Sequence, residues 1–510
     1  MALAPRYETY EDFPSEELYL YAGIDCVATS DLARALYPKL TVEPDYVRSV
    51  GGKKVKGKAM SIMESYERYM TDIFETIVDL ESNGLSYDVN MNRIIGSKMV
   101  EEIGVLDDSI FSAIGHAVDQ SSGPKLAEFL YGEMGFDVPS YTKGQMPSTD
   151  GDALKALAKQ YGHEWLRQMA KRKDISGAHN TFIKTYVEDF VKRDGRIHPS
   201  YLLHGTSSFR ISGENPNLTQ LPRDKHGYCI RDCYNVPEGY IFLALDYKSA
   251  EVLCLASLCK DKKMLDALSK GMDFHTFSAS EMYHIPYEEL LAVLSEEHHP
   301  KYKEYKEYRQ VSKSLGFAII YGSTAGGIAG NLGITVTEAQ RLIDLYFSLF
   351  PRIKDYVERC HAEALYNHFS VGPFGQRKMQ YGTLPVFNGT AVMNAGKRSS
   401  QNFGCQNPTS TLGLCSFSDV NREIKPYKAK ATCSVYDSLE MEVPISRAAE
   451  VLEVAFKYMV DEPIKKYGWM EIPIPADAEI GLTWGSAKHV KRGATQKEIE
   501  ELIRGIQADT

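Results

Sequence analysis

The sequence predicts an α/β chain of the α+β, multidomain kind, and three observations carry that prediction. The chain has 510 residues, too many for one small core, so two to four domains are expected. A strand-like run, Tyr240-Ile-Phe-Leu-Ala-Leu245, lies far from a second β segment at 428 to 444. Before and between them run long stretches of helical periodicity, an order that suits a β platform interrupted by helical insertions.

The elements follow in order. Residues 15 to 40 read as one helix that includes Tyr21, Asp25 and Leu32. The run Ser49-Val-Gly-Gly-Lys-Lys-Val-Lys-Gly-Lys58 reads as a flexible basic linker. A helical pattern from Ile62 ends at Asn83-Gly84, and a short strand follows toward Asp88. Residues 92 to 194 are helix-rich, with turns at Ser121-Ser-Gly-Pro124 and Thr142-Lys-Gly144. Residues 238 to 258 are strand then helix, and 260 to 370 are again helical. The segment 428 to 444 reads as two strands meeting at a tight turn near Tyr436-Asp437. A charged helical pattern closes the chain after about His489.

Composition is that of a soluble globular protein, with 43% hydrophobic and 25% charged residues. Net charge is −10, so a nucleic-acid partner has to find a local basic groove. The nine cysteines are scattered without a Cys-x-x-Cys pair, and Cys229 and Cys233 flank a strand-like run. Free thiols in a reducing compartment are expected rather than zinc or disulfides. No signal-peptide pattern and no membrane-length apolar run is present, so a cytoplasmic location is expected.

The most informative pattern is Arg309, Lys313, Phe317 and Tyr321, which recur every fourth residue and end at Gly322. On a helix they share one face. Two cations followed by two rings suit a nucleoside triphosphate, phosphates at one end and base at the other. An amphipathic helix with snorkelling Arg and Lys accounts for the stripe equally well. Asp246 ends the strand-like run, and Asp437 sits in the later turn. If the strands are neighbours the two carboxylates meet, and two Mg²⁺ ions between them could activate a 3′-hydroxyl. Taken singly, each is better read as a turn former or helix cap. Arg398, Asn402 and Gln406 repeat the same spacing on a polar face, suited to base edges and sugars or to solvent. The loop Thr206 to Pro222, with Arg210, suits primer or phosphate contacts and equally an ordinary polar turn.

The ordered set resembles the family A, DNA polymerase I-like, DNA polymerases. Asp246-Tyr247 with Glu251 resembles their first palm motif, the Arg309 to Gly322 stripe their fingers helix, and Val435-Tyr436-Asp437 their last palm motif. Asp273-Phe-His275-Thr276, Pro147-Ser-Thr-Asp150, Arg210-Ile-Ser212 with Pro216-Asn217-Leu218, and Arg398 to Gln406 resemble further blocks in the right order. The resemblance runs from about residue 60 to 490.

It implies a right-hand palm, fingers and thumb architecture with a remnant exonuclease-domain helix at the N-terminus. Residues 1–48 would be that remnant, 60–200 the thumb, 201–260 the first part of the palm, 261–370 the fingers, and 371–510 the rest of the palm and a tail. It implies a DNA-templated DNA polymerase that takes dNTPs and primer-template DNA. Asp246 and Asp437 would hold two Mg²⁺, with Mn²⁺ as the alternative, and the Tyr247 backbone would add an oxygen. Lys313 would bind phosphates and act as general acid, with Arg309 and His275 beside it. Phe317 would face the sugar, Tyr321 the template position, and Glu251 would exclude a ribose 2′-hydroxyl. Arg210, Arg398, Asn402 and Gln406 would touch DNA. A single-subunit RNA polymerase shares some of these features, but Glu251 and the Arg398/Gln406 block argue against it.

The chain also departs from the family pattern. The last palm motif usually reads His-Asp-Glu and here reads Tyr436-Asp437-Ser438, which removes an auxiliary carboxylate. Ser249 replaces a usual glutamine, and Asn407-Pro408 replace Gly-Thr. Tyr21 and Asp25 resemble the end of a 3′–5′ exonuclease domain whose earlier acidic segments are not upstream. A phage-type replicase with its exonuclease on a separate chain is expected, with truncation as the alternative.

Overall fold

The computed structural model describes residues 15–224, 226–386 and 389–509. Its centre is a five-stranded antiparallel sheet. Label its strands β1 (Tyr240–Tyr247), β2 (Lys430–Val435), β3 (Ser438–Pro444), β4 (Ala476–Gly481) and β5 (Lys488–Val490); their order is β2-β3-β1-β4-β5.

Strand period 2 divides β1 between two cores. Ile241, Leu243, Leu245 and Tyr247 join Leu439, Met441 and Val443 of β3 in one core. Phe242 and Ala244 face the other way and pack with Trp484, Tyr234 and residues of two helices, α3 (Val89–Ile114) and α4 (Glu164–Ala178). A central strand covered on both faces reads as a continuous apolar run, which is why Tyr240 to Leu245 was legible.

The expected helix at 15 to 40 is α1 (Ser15–Leu40), and the pattern ending at Asn83 closes α2 (Thr71–Asn83). After β1 come α5 (Ala250–Cys259), α6 (Phe274–Tyr283), α7 (Tyr302–Ile320) and α8 (Pro351–Asn367). The 260 to 370 block has its own core, built on Leu315, Ile319, Tyr346, Phe350 and Ile353. Then α9 (Thr390–Ile424) runs 35 residues and carries Pro408 inside it. Buried residues along most of its length replace what its sequence pattern lacks.

Two expectations are corrected, and the charged tail takes a definite place. The basic linker is a β-hairpin, Asp45–Val50 paired with Lys53–Lys58, closed at Gly51 and Gly52, whose φ values are both positive. It is docked on α8. The Tyr46 hydroxyl and the Ser49 N–H donate to the Glu363 carboxylate at 2.9 and 3.0 Å, and the Val47 N–H donates to Asn367 at 2.8 Å. The run between Cys229 and Cys233 is a 3₁₀ turn, Ile230–Cys233, not a strand, and all nine cysteines are free. The charged tail is a core element. In α11 (Gln496–Asp509), Ile499, Ile503 and Ile506 enter the first core beside Val451 and Leu452 of α10 (Ala448–Phe456). Strands β4 and β5 had no counterpart in the sequence reading.

Candidate active site

Register brings the acidic residues together. Asp246 lies opposite Ser438 of β3 on one side and Asp477 of β4 on the other. Asp437 occupies the two-residue turn between β2 and β3, and its carbonyl accepts the Tyr247 N–H at 3.1 Å. The turn opens with Tyr436 at φ +59, a left-handed conformation that a bulky residue adopts only under constraint. The Arg210 guanidinium lies 4.8 Å from the Tyr436 ring centroid.

Asp246 opens onto solvent at the sheet end, yet is crowded by carboxylates. Loss of hydration, then Asp437, Glu479 and Asp477, push its pKa up to about 7. Desolvation also raises Asp437, while Arg210 works against that rise. Asp477 is answered by Lys248 at 2.6 Å. Among the described residues Asp246 and Asp437 have no ion-pair partner.

These residues fit a hydrated divalent cation. Two adjacent carboxylates that repel each other and lack a cation are the donor set that Mg²⁺ uses, since Mg²⁺ keeps several waters and takes one or two carboxylates plus phosphates. No group of three or more His, Cys, Asp or Glu residues among the described ones makes a closed metal cage.

The stripe is on α7 as the spacing predicts, with Tyr321 as C-cap and Gly322 following at φ +74. A Cβ on Gly322 would come within 3.1 Å of the Arg398 side chain, so this glycine also lets α7 approach α9. The rings of Phe317 and Tyr321 are nearly parallel with centroids 6.1 Å apart. The Tyr321 hydroxyl donates to Glu251 at 2.5 Å, and Glu251 also pairs with Arg210 at 3.6 Å. The ring end of the stripe is thereby tied to the start of α5 and, through Arg210, to the Asp437 turn.

At the cationic end, Arg309 is already engaged. Its guanidinium holds the Asp273 carboxylate at 3.1 and 3.2 Å and donates to Thr276 at 3.0 Å. Asp273 also caps α6 through the Thr276 N–H. Burial opposes ionisation of Asp273, but the bonds from Thr276 and Arg309 hold its pKa below the usual value. Lys313 makes no hydrogen bond or ion pair among the described residues. The His275 ring lies 5.3 Å from Phe317, and burial, reinforced by Arg309 and Lys313, lowers its pKa to about 4. It is a neutral imidazole at pH 7.

Arg398, Asn402 and Gln406 lie half-buried along one face of α9, and Gln406 is near enough to the Tyr321 hydroxyl to oppose the rise of its pKa. Tyr21 and Asp25 lie exposed on α1. Sequence reasoning missed the Asp273 partner of Arg309. It also missed Glu440, which is 2% exposed on β3, on the side that carries Asp246. Burial raises the Glu440 pKa to about 8. The alternation Ser438-Leu-Glu440-Met-Glu442 was the available signal for it.

Comparison with known proteins gives the chain its relatives. The chain is 27% identical over 486 residues to DNA polymerase I of Pseudomonas aeruginosa, covering 94% of this chain and 49% of that protein. It is 26% identical over 429 residues to the thermostable DNA polymerase I of Thermus aquaticus, covering 83% of this chain and 48% of that one. The chain thus spans about half the length of the curated relatives it matches. Among solved structures, the POL domain of Pol1 from M. smegmatis, in complex with DNA primer-template and dNTP, superposes with a TM-score of 0.71. That match has 24% identity and covers 82% of this chain and 70% of that one, so the two share a fold. Residues 90–486 match the family described as DNA polymerase family A, and with most of its length inside that match, the chain belongs to DNA polymerase family A.

Proposed function

We propose that this chain is a DNA-templated DNA polymerase that adds deoxynucleotides to a primer 3′ end. The observation that carries the reading is the meeting of Asp246 and Asp437 at the end of the sheet, beside a helix stripe tied to them through Glu251 and Arg210. Family membership and the fold shared with a polymerase solved with primer-template and dNTP support it. Residues 60–200 then serve as thumb, 201–260 and 371–510 as palm and tail, and 261–370 as fingers.

Asp246 and Asp437, with the Tyr247 backbone, would hold two Mg²⁺ or Mn²⁺ ions, which supply activation of the 3′-hydroxyl and charge for the leaving pyrophosphate. Lys313, without a partner of its own, binds the phosphates and hands a proton from Nζ to the leaving group. Arg309, held by Asp273, reaches a phosphate by exchanging that pair. Neutral His275 donates a hydrogen bond rather than charge. Phe317 packs on the sugar, Glu251 occupies the space a 2′-hydroxyl needs, and Tyr321 covers the template position. Arg210, Arg398, Asn402 and Gln406 line the DNA side.

Tyr19, Leu20 and Ile24 are exposed apolar residues on α1, which supports docking of a 3′–5′ exonuclease unit there, on the same chain or a separate one. The relatives named above are bacterial and do not carry the phage context. No helix among the described residues is long and apolar enough to cross a membrane.

Primer extension tests the reading. Extension with dNTPs and not with NTPs is expected, and its loss in Asp246→Ala and Asp437→Ala. No extension with either Mg²⁺ or Mn²⁺ contradicts it.

A further inference from the structure

On β3, Ser438, Glu440 and Glu442 lie opposite Asp246, Ala244 and Phe242 of β1, all on one side of the sheet. Glu442 is answered by Arg196 at 2.5 Å. Glu440 is not answered in that way. One oxygen accepts the Ser438 hydroxyl at 2.8 Å, and the other is buried without a hydrogen-bond partner among the described residues. The nearest cationic candidate, Arg231, directs its guanidinium to the Leu221 carbonyl and over Trp484, and its Nε is likewise buried without a partner. A buried carboxylate with a spare oxygen is unfavourable for folding alone. Its position, one pleat repeat from Asp246, points to a use at the site.

The Ser438 hydroxyl gives that use a path. Its proton is committed to Glu440, so its lone pairs are free, and polarised, toward the side where Asp246 lies directly opposite. A hydrated Mg²⁺ needs acceptors for its waters as well as direct ligands. The resembled motif carries a glutamate where this chain has Ser438, and this chain carries Glu440 two residues on, along the same face.

We propose that Glu440 is the positioning carboxylate of the metal site: ionised once a cation occupies the site, it supplies through Ser438 Oγ the acceptor and negative charge that a glutamate at position 438 would otherwise provide. This rests on the reading of Asp246 and Asp437 as the metal ligands. The test is Mn²⁺ binding to the full chain without DNA or nucleotide, followed by the electron spin resonance of free Mn²⁺. Asp246→Asn is expected to abolish binding at the site. Glu440→Gln and Ser438→Ala are each expected to weaken it by about tenfold. The double variant Ser438→Glu/Glu440→Gln is expected to return to within about threefold of the parent, by the same scale. Unchanged affinity in Glu440→Gln and Ser438→Ala, with loss in Asp246→Asn, overturns the role of Glu440 and leaves the metal site standing. A Glu440→Gln defect that Ser438→Glu does not repair also overturns it. If Glu440→Gln does not fold, Ser438→Ala decides the point alone. Retained binding in Asp246→Asn instead contradicts the underlying site assignment.

Discussion

Under the proposed function, single side chains decide what this site accepts. Phe317 carries no hydroxyl, so it has nothing to offer in place of a missing 3′-hydroxyl on the incoming sugar. Phe317→Tyr adds one hydrogen bond, about 1 kcal/mol, and is expected to improve dideoxynucleotide incorporation relative to deoxynucleotide by roughly fivefold to tenfold in single-turnover assays. Glu251 has its carboxylate fixed by the Tyr321 hydroxyl at 2.5 Å and by Arg210. Glu251→Ala is expected to raise ribonucleotide incorporation, and an unchanged sugar preference removes that role from it. Asp246 gives a pH signature. Its folded pKa of about 7 lies above the free value of 3.8, so folding favours its protonated form. That contribution is full below about pH 3.8 and lost as pH rises through 7. In divalent-free buffer, Asp246→Asn therefore gains more thermal stability over the parent at pH 8 than at pH 5. An equal gain at both values contradicts the loss of hydration and the crowding of carboxylates at Asp246.

At the scale of elements, local pattern was legible and distant partnership was not. The α7 stripe, the β1 run and the β2–β3 turn each carry their own periodicity, and each forms where that periodicity places it. The hairpin at 45 to 58 looked like a linker because its docking partners, Glu363 and Asn367, stand more than 300 residues away. Arg309 looked free for phosphate because Asp273 is 36 residues upstream, on another helix. Strands β4 and β5 are short, and β4 gains its place by pairing with β1 rather than by composition. The C-terminal helix α11 has three isoleucines on one face, and only the fold shows what they cover. Ile503→Ala is expected to cost about 2–5 kcal/mol and to lower the thermal midpoint, which calorimetry of the full chain checks. A change within about 0.5 kcal/mol would place α11 outside the core.

At the scale of the molecule, the proposed function asks a chain with net charge −10 to handle a polyanion through a local surface. The central sheet brings Asp246, Asp437 and Asp477 together at one end by register. Residues from elsewhere in the fold reach that end: Arg210 from the loop before β1 lies against Tyr436 and pairs with Glu251 of α5, which holds Tyr321 at the end of α7. No one segment holds the site, which explains why each motif alone was ambiguous and the ordered set was informative. The central claim is templated nucleotide addition at this junction. Its most direct test is single-nucleotide incorporation on four primer-templates that differ only in the templating base, each offered one dNTP at a time. The account predicts addition of the complementary dNTP in each case, and none from Asp246→Ala or Asp437→Ala. Addition that ignores the templating base, or that survives both substitutions, would contradict it.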